Sequence, residues 1–214
     1  MSHDDFKFEP VRGLPEELPE GEHILWQGSP NALRLAREAL CLNWVAGYFV
    51  LLVIWRIGAS SATYPMAEAM SHGIPLALVG LLACALIYGL AYMQARAAVY
   101  TLTNKRVAMR IGAALTMTLN LPYVAIGTAK LEERGKKGSG TIAFELIGDT
   151  RFSYILCWPH VRPWHFARTQ PALRCIDDAP EVARMFAEAA DARVSRPKVE
   201  RIPANVAASA LAAE

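Results

Sequence analysis

YTLTNKRVAMRIG, residues 100–112, is where this chain changes character. Val107, Met109 and Ile111 alternate with Ala108 and Arg110, the period of two expected of a strand with one dry face. Asn104 and Lys105 interrupt the pattern where a tight turn would reverse the chain, and Gly112 closes it. The stretch predicts two strands that open a sheet.

Upstream of it the chain is of another kind. ALCLNWVAGYFVLLVIW (39–55) and IPLALVGLLACALIYGLAY (74–92) contain no charged residue. At the helical rise each reaches about 25–30 Å, enough for a hydrocarbon core. Helices buried in a soluble core normally keep a polar stripe, and these have none. The 214 residues are 53% hydrophobic, with a mean hydropathy of +0.20. That balance predicts a protein divided between bilayer and water.

Basic residues set the expected orientation. Arg34 and Arg37 precede the first span, and Arg96, Lys105, Arg106 and Arg110 follow the second, whereas the connecting loop (56–73) holds only Arg56. The positive-inside rule then puts both termini in the cytoplasm and the loop outside an inner membrane. Trp55 and Tyr64 would lie near the outer interface, Tyr88 and Tyr92 near the inner one. The spans hold no ionisable residue of the kind a proton relay or ion path needs. Asn43, Gly47, Gly80, Ala85 and Gly89 are the candidate helix-packing residues. They either pack the two spans together or offer a face to another membrane protein's helix.

Downstream, the residues from 98 to about 168 continue in period two. Leu115, Met117, Leu119 and Leu121 alternate with Thr116, Thr118 and Asn120, and TAKLEER (128–134), TIAFELIG (141–148) and RFSYILCW (151–158) read as further strands. Pro122, GKKGSG (135–140) and Gly148-Asp149 are the turns between them. About six or seven antiparallel strands at this spacing suggest a small sandwich or open barrel. In DDAPEVARMFAEAADAR (177–193), Asp178 is placed to cap a helix with Glu181 three residues on and Pro180 in the first turn. Val182, Met185, Phe186 and Ala189 would form its apolar face and cover an open end of the barrel. The expected division is a cytoplasmic lead-in (1–38), a transmembrane helical hairpin (39–93), a β domain closed by a C-terminal helix (97–193) and a disordered tail (194–214). The lead-in has no basic stretch followed by an apolar core, so no cleavable signal peptide is expected.

Strands closed by one C-terminal helix give the plan of a pleckstrin-homology-like domain. Tyr100, Leu102, Thr103 and Arg106 match a Y-x-L-T-x-x-R pattern, followed by Gly112 and a later G-x-G-x-I at Gly138, Gly140 and Ile142; GEHILWQGSP (21–30) stands ahead of the first span. This combination resembles bacterial membrane proteins that carry a PH-like domain beside a two-span hairpin. The acidic, Pro-rich N-terminus, PHVRPWHFARTQPALRCI (159–176) and the DAPEVA helix start (178–183) are most similar to the PuhB family, over residues 5 to about 195. The resemblance implies a membrane α+β protein that assembles the photosynthetic reaction centre and its core light-harvesting antenna in purple bacteria. Reaction-centre or core antenna subunits and the lipid bilayer are then the expected partners, and a homodimer is left open. No residue-level binding motif comes with the resemblance.

Other chemistry is weighed on the residues themselves. A net charge of +2 without a concentrated basic face gives no reason to expect nucleic acid. Cys41, Cys84, Cys157 and Cys175 are too scattered for a metal knuckle or redox pair; Cys41 and Cys84, in the apolar runs, read as small hydrophobes, and a reduced compartment is expected. WPHVRPWHF (158–166) gathers Trp158, Arg162, Trp164 and Phe166, residue types enriched at interfaces, and these are the candidate partner-binding residues. Such a stretch is more often an irregular strand or loop with its rings packed on the sheet, and His160 and His165 lack the companions of a metal site. Lys136 and Lys137 stand in a glycine-flanked turn without the P-loop string, so they read as a solvated hairpin tip or a contact for anionic headgroups. With no G-x-S-x-G or H-E-x-x-H motif and no clear nucleophile and base, no enzyme and no cofactor are expected. The alternative to assembly is a general PH-domain membrane protein that binds anionic lipid or envelope-stress partners.

Overall fold

In the computed structural model the described residues are 11–113, 115–134, 138–148 and 151–194. Strand β1 (Ile24–Gly28) and helix α1 (Ala32–Glu38) precede two long helices, α2 (Leu42–Ser61) and α4 (Ile74–Ala97), with a short α3 (Met66–Ser71) between them. Strands β2 (Val99–Thr103), β3 (Arg106–Ile111) and β4 (Met117–Pro122) follow, then a 3-10 turn (Tyr123–Ala125), β5 (Ile126–Glu133) and β6 (Gly140–Leu146). Helix α5 (Tyr154–Cys157), strand β7 (Ala172–Ile176) and helix α6 (Ala179–Val194) complete the order.

Both long helices are long and apolar enough to cross a membrane. They are apolar all round, with Trp44, Leu51, Ile54, Leu81 and Leu86 exposed. They begin and end differently from the expected spans. Cys41, at φ +56°, breaks the chain after α1, so Arg34 and Arg37 belong to a separate helix. Asn31 caps that helix by accepting from the Arg34 N–H at 3.2 Å. At the other end α4 continues past residue 92 to Ala97, because Ala91 and Ala95 are buried and Leu35 of α1 packs with Ala95.

The strands form two antiparallel sheets, β1-β2-β3-β4 and β5-β6-β7, around one core. Tyr100, Leu102, Val107, Met109 and Leu121 from the first sheet meet Ile142, Phe144 and Leu173 from the second. Helix α6 adds Val182 and Phe186, whose ring lies 5.2 Å from Phe144 and 5.4 Å from Tyr123. That face is the one its sequence period predicts. The helix begins one residue after Asp178, which sits at φ +59° and offers its carbonyl to the Glu181 and Val182 N–H groups.

Three expectations are corrected, the first two by long-range contacts. The lead-in is not separate from the β domain, because β1 pairs with β2 from Ile24 opposite Thr103 to Gly28 opposite Tyr100. Nor does β3 leave one face in water: Ala108 and Arg110 are buried, as is Thr101 opposite Ala108. Residues 12–14 lie against this face, where a Cβ on Gly13 would lie 2.5 Å from Val99 Cγ1 and Gln27 Nε2 bonds both the Arg12 carbonyl and Thr101 Oγ1. RFSYILCW is not a strand either; four of its residues make α5, with Cys157 buried and Tyr154 half-buried three apart on the inner side. Ile155 and Leu156 point outward instead.

Candidate functional site

The Y-x-L-T-x-x-R residues hold the β2–β3 hairpin and its surroundings together. Thr103 Oγ1 accepts from the Lys105 and Arg106 N–H groups at 3.2 and 3.0 Å. The same hydroxyl lies 2.8 Å from Glu22 Oε1, which also takes the Arg106 Nε–H at 2.8 Å. Glu22 is almost fully buried in this pair, so the lead-in is tied to the sheet through a charge-assisted bond. Tyr123 Oη donates to the Thr103 carbonyl, and burial pushes its phenol upward.

Tyr100 points into the core, where its hydroxyl lies 2.6 Å from His160 Nδ1, and the Arg174 N–H donates to it at 3.4 Å. Burial, with Arg174 close by, lowers the His160 pKa to about 3, so the ring is neutral. Desolvation also raises the Tyr100 phenol, which then keeps its proton and shares a hydrogen bond with Nδ1 of the neutral ring. His160 therefore anchors a loop. Its N–H donates to the Cys157 carbonyl at 2.8 Å, and its carbonyl accepts from Ala172 at 3.0 Å. Among the described residues no His, Cys, Asp and Glu cluster could hold a metal ion.

What this anchor supports is exposed. Arg162 continues the pairing onto the chain ahead of β7, its N–H donating to the Gln170 carbonyl at 2.9 Å and its Nη1 to Gln170 Oε1 at 3.2 Å. Beyond this brace the chain swings out, leaving Trp164 84% and Phe166 61% exposed. Trp164 sits at φ +66°, a left-handed backbone that bulky residues rarely adopt. The Phe166 ring packs on Tyr154 at 4.5 Å and on Trp164 at 6.2 Å. Ile155, 83% exposed, and Leu156, 60% exposed, extend the apolar surface from α5. Trp158 is only marginally exposed.

Of the four predicted partner-binding residues, Trp164 and Phe166 form this surface, Arg162 braces the loop beneath it and Trp158 contributes little. Ile155 and Leu156 were missed because their segment read as a strand with one inward face. The candidate helix-packing residues divide as well. Gly80 is used inside the hairpin, where a Cβ would lie 2.7 Å from that of Phe49 on α2. Gly47 and Gly89 face open space, and Asn43 and Ala85 are exposed. Lys136 and Lys137 lie outside the described residues, as does nearly all of the predicted tail.

The chain is 46% identical over 217 residues, covering 99% of itself and all of the relative, to a Rhodobacter capsulatus protein described as an uncharacterized 23.7 kDa protein in the puhA 5′ region. A solved structure of a DUF1696 family protein with a pleckstrin-homology domain, from Shewanella loihica, shares 14% identity over 44% of this chain and 71% of that one, with a TM-score of 0.29. That overlay is too partial to bear on the site. The family model for the bacterial PH domain matches residues 42–190, taking in both long helices and every strand except β1, and the chain therefore belongs to the bacterial PH domain family.

Proposed function

We propose that this protein is a non-catalytic assembly factor for the photosynthetic reaction centre and its core antenna, held in the inner membrane by α2 and α4 with both termini in the cytoplasm. The observation that carries this reading is the end-to-end similarity to the Rhodobacter capsulatus protein in the puhA 5′ region. The resemblance to the PuhB family points the same way. The geometry supports a recognition role, since the exposed Trp164, Phe166, Ile155 and Leu156 form an apolar surface mounted on a rigid, buried anchor. Such a factor works through contact area and helix packing, with no bond made or broken.

Deleting the gene in a phototrophic host is expected to lower the amount of assembled reaction centre while total membrane protein stays constant. Unchanged reaction-centre levels in the deletion strain would overturn the reading.

A further inference from the structure

We propose that the end of the second sheet farthest from α1 is a docking surface for a water-exposed protein segment in which a carboxylate stands between apolar side chains. The inference deepens the recognition role proposed above, and depends on it only for which protein carries that segment.

Two apolar lobes make up the surface. One is Ile155, Leu156, Trp164 and Phe166; the other is Val124 and Ile147, both exposed and brought together by the Ile147 N–H bond to the Ala125 carbonyl at 2.9 Å. A pocket whose lining includes Glu145, Gly148, Arg151 and Arg168 adjoins both lobes along the chain, Gly148 following Ile147 and Arg168 standing two residues after Phe166. Glu145 is paired with Lys130 at 3.1 Å, whereas Arg151 and Arg168 make no ion pair among the described residues. From 151 to 168 the chain has three arginines and neither Asp nor Glu. Among the described residues the lining thus carries two arginines against one glutamate that is already paired, beside apolar residues, and a guanidinium fork is shaped to take a carboxylate. Aromatic anchors around arginine are also the composition of an interface hot spot.

The position of this surface favours a protein over the bilayer. Strand β7 ends beside α1, where the Cys175 carbonyl accepts from Asn31 and Arg34 lies 3.9 Å from Asp177. The β5 end is there too, with the Arg134 carbonyl accepting from Arg34 Nη1 at 3.0 Å. From Ile176 back to Gln170 the extended chain covers about 20 Å. Helix α1 and the docking surface therefore occupy opposite ends of the second sheet. A bilayer that holds α2 and α4 meets the domain at its α1 end and leaves the other end to water.

The test uses the full-length protein in phototrophic membranes, with a benzophenone amino acid placed at position 155 or 164 and irradiated. Adducts are expected on a water-exposed segment of another protein that carries Asp or Glu beside apolar residues. Arg151→Glu combined with Arg168→Glu is expected to cut their yield about tenfold. Replacing both arginines by Lys is expected to keep most of the yield. Both side chains are exposed, so thermal unfolding should not change; if the reversal lowers it, the Arg→Gln pair is read in the same way. Adducts with lipid alone, with a second copy of this chain or with a segment lacking a carboxylate overturn the proposal. So do a lack of adducts and a yield indifferent to the double reversal. Adducts of the expected chemistry on a protein unrelated to photosynthesis uphold the surface and overturn the assembly role.

Discussion

Lowering the pH should loosen the domain through one buried ring. His160 is fully buried and held neutral, with its pKa brought down to about 3 by burial and by Arg174. In the unfolded chain the same imidazole titrates near 6.5. Between these values the unfolded state binds a proton that the folded state refuses, so stability rises with pH. The contribution is complete above about pH 6.5 and is lost progressively as the pH falls towards 3. From pH 7.5 to pH 5 the loss from this group is about 2 kcal/mol. The assay is chemical unfolding of the full chain in mild detergent at the two pH values, comparing wild type with His160→Gln. Carboxylates and other histidines titrate alike in both proteins, and the comparison cancels them. At pH 7.5 the variant should be the less stable by about 1–3 kcal/mol, through disturbance of the bond to Tyr100. At pH 5 that gap should narrow by about 2 kcal/mol. Parallel pH profiles for the two proteins would refute the argument, since they would show that His160 takes up its proton without unfolding.

The exposed surface and the hairpin respond to different substitutions. Trp164→Gly removes a bulky residue from a left-handed backbone, so unfolding should shift by no more than about 1 kcal/mol while adduct formation from position 155 is lost. Gly80→Leu should separate α2 from α4 and reduce cross-linking between cysteines introduced across them, because the new side chain meets Phe49; Gly47→Leu, facing open space, should leave that cross-linking unchanged.

How much of this could be seen beforehand depended on the range of the interaction. The spans declared themselves through the absence of charge, and the β2–β3 hairpin through period two interrupted at Asn104 and Lys105. Both are local signals. The lead-in's place in the sheet was not visible, because β1 has only five residues and its partner is some eighty positions away. The burial of Arg110 was hidden for a related reason. Alternation says that a residue faces away from the core, and it cannot say that Arg12 and Gly13 return to the same face, against Gln27 and against Val99 opposite Arg110. Helix α5 is a single turn, too short for a 3.6 period to stand out from a strand.

The resemblance motif and the candidate surface show how these ranges combine. Tyr100, Thr103 and Arg106 served first as markers, yet each acts on something distant: Tyr100 on His160, Thr103 and Arg106 on Glu22. Composition did single out 158–166, and Trp164 and Phe166 are indeed exposed there. It could not separate them from Trp158 and Arg162, because that separation is made by the Gln170 brace and the His160 anchor. Nor could it add Val124 and Ile147, which reach the same end of the domain only through sheet register. A surface gathered from four separate segments has no sequence period of its own. Its parts are legible one at a time, as an aromatic, an arginine or an exposed aliphatic, and it is the fold that makes them one surface.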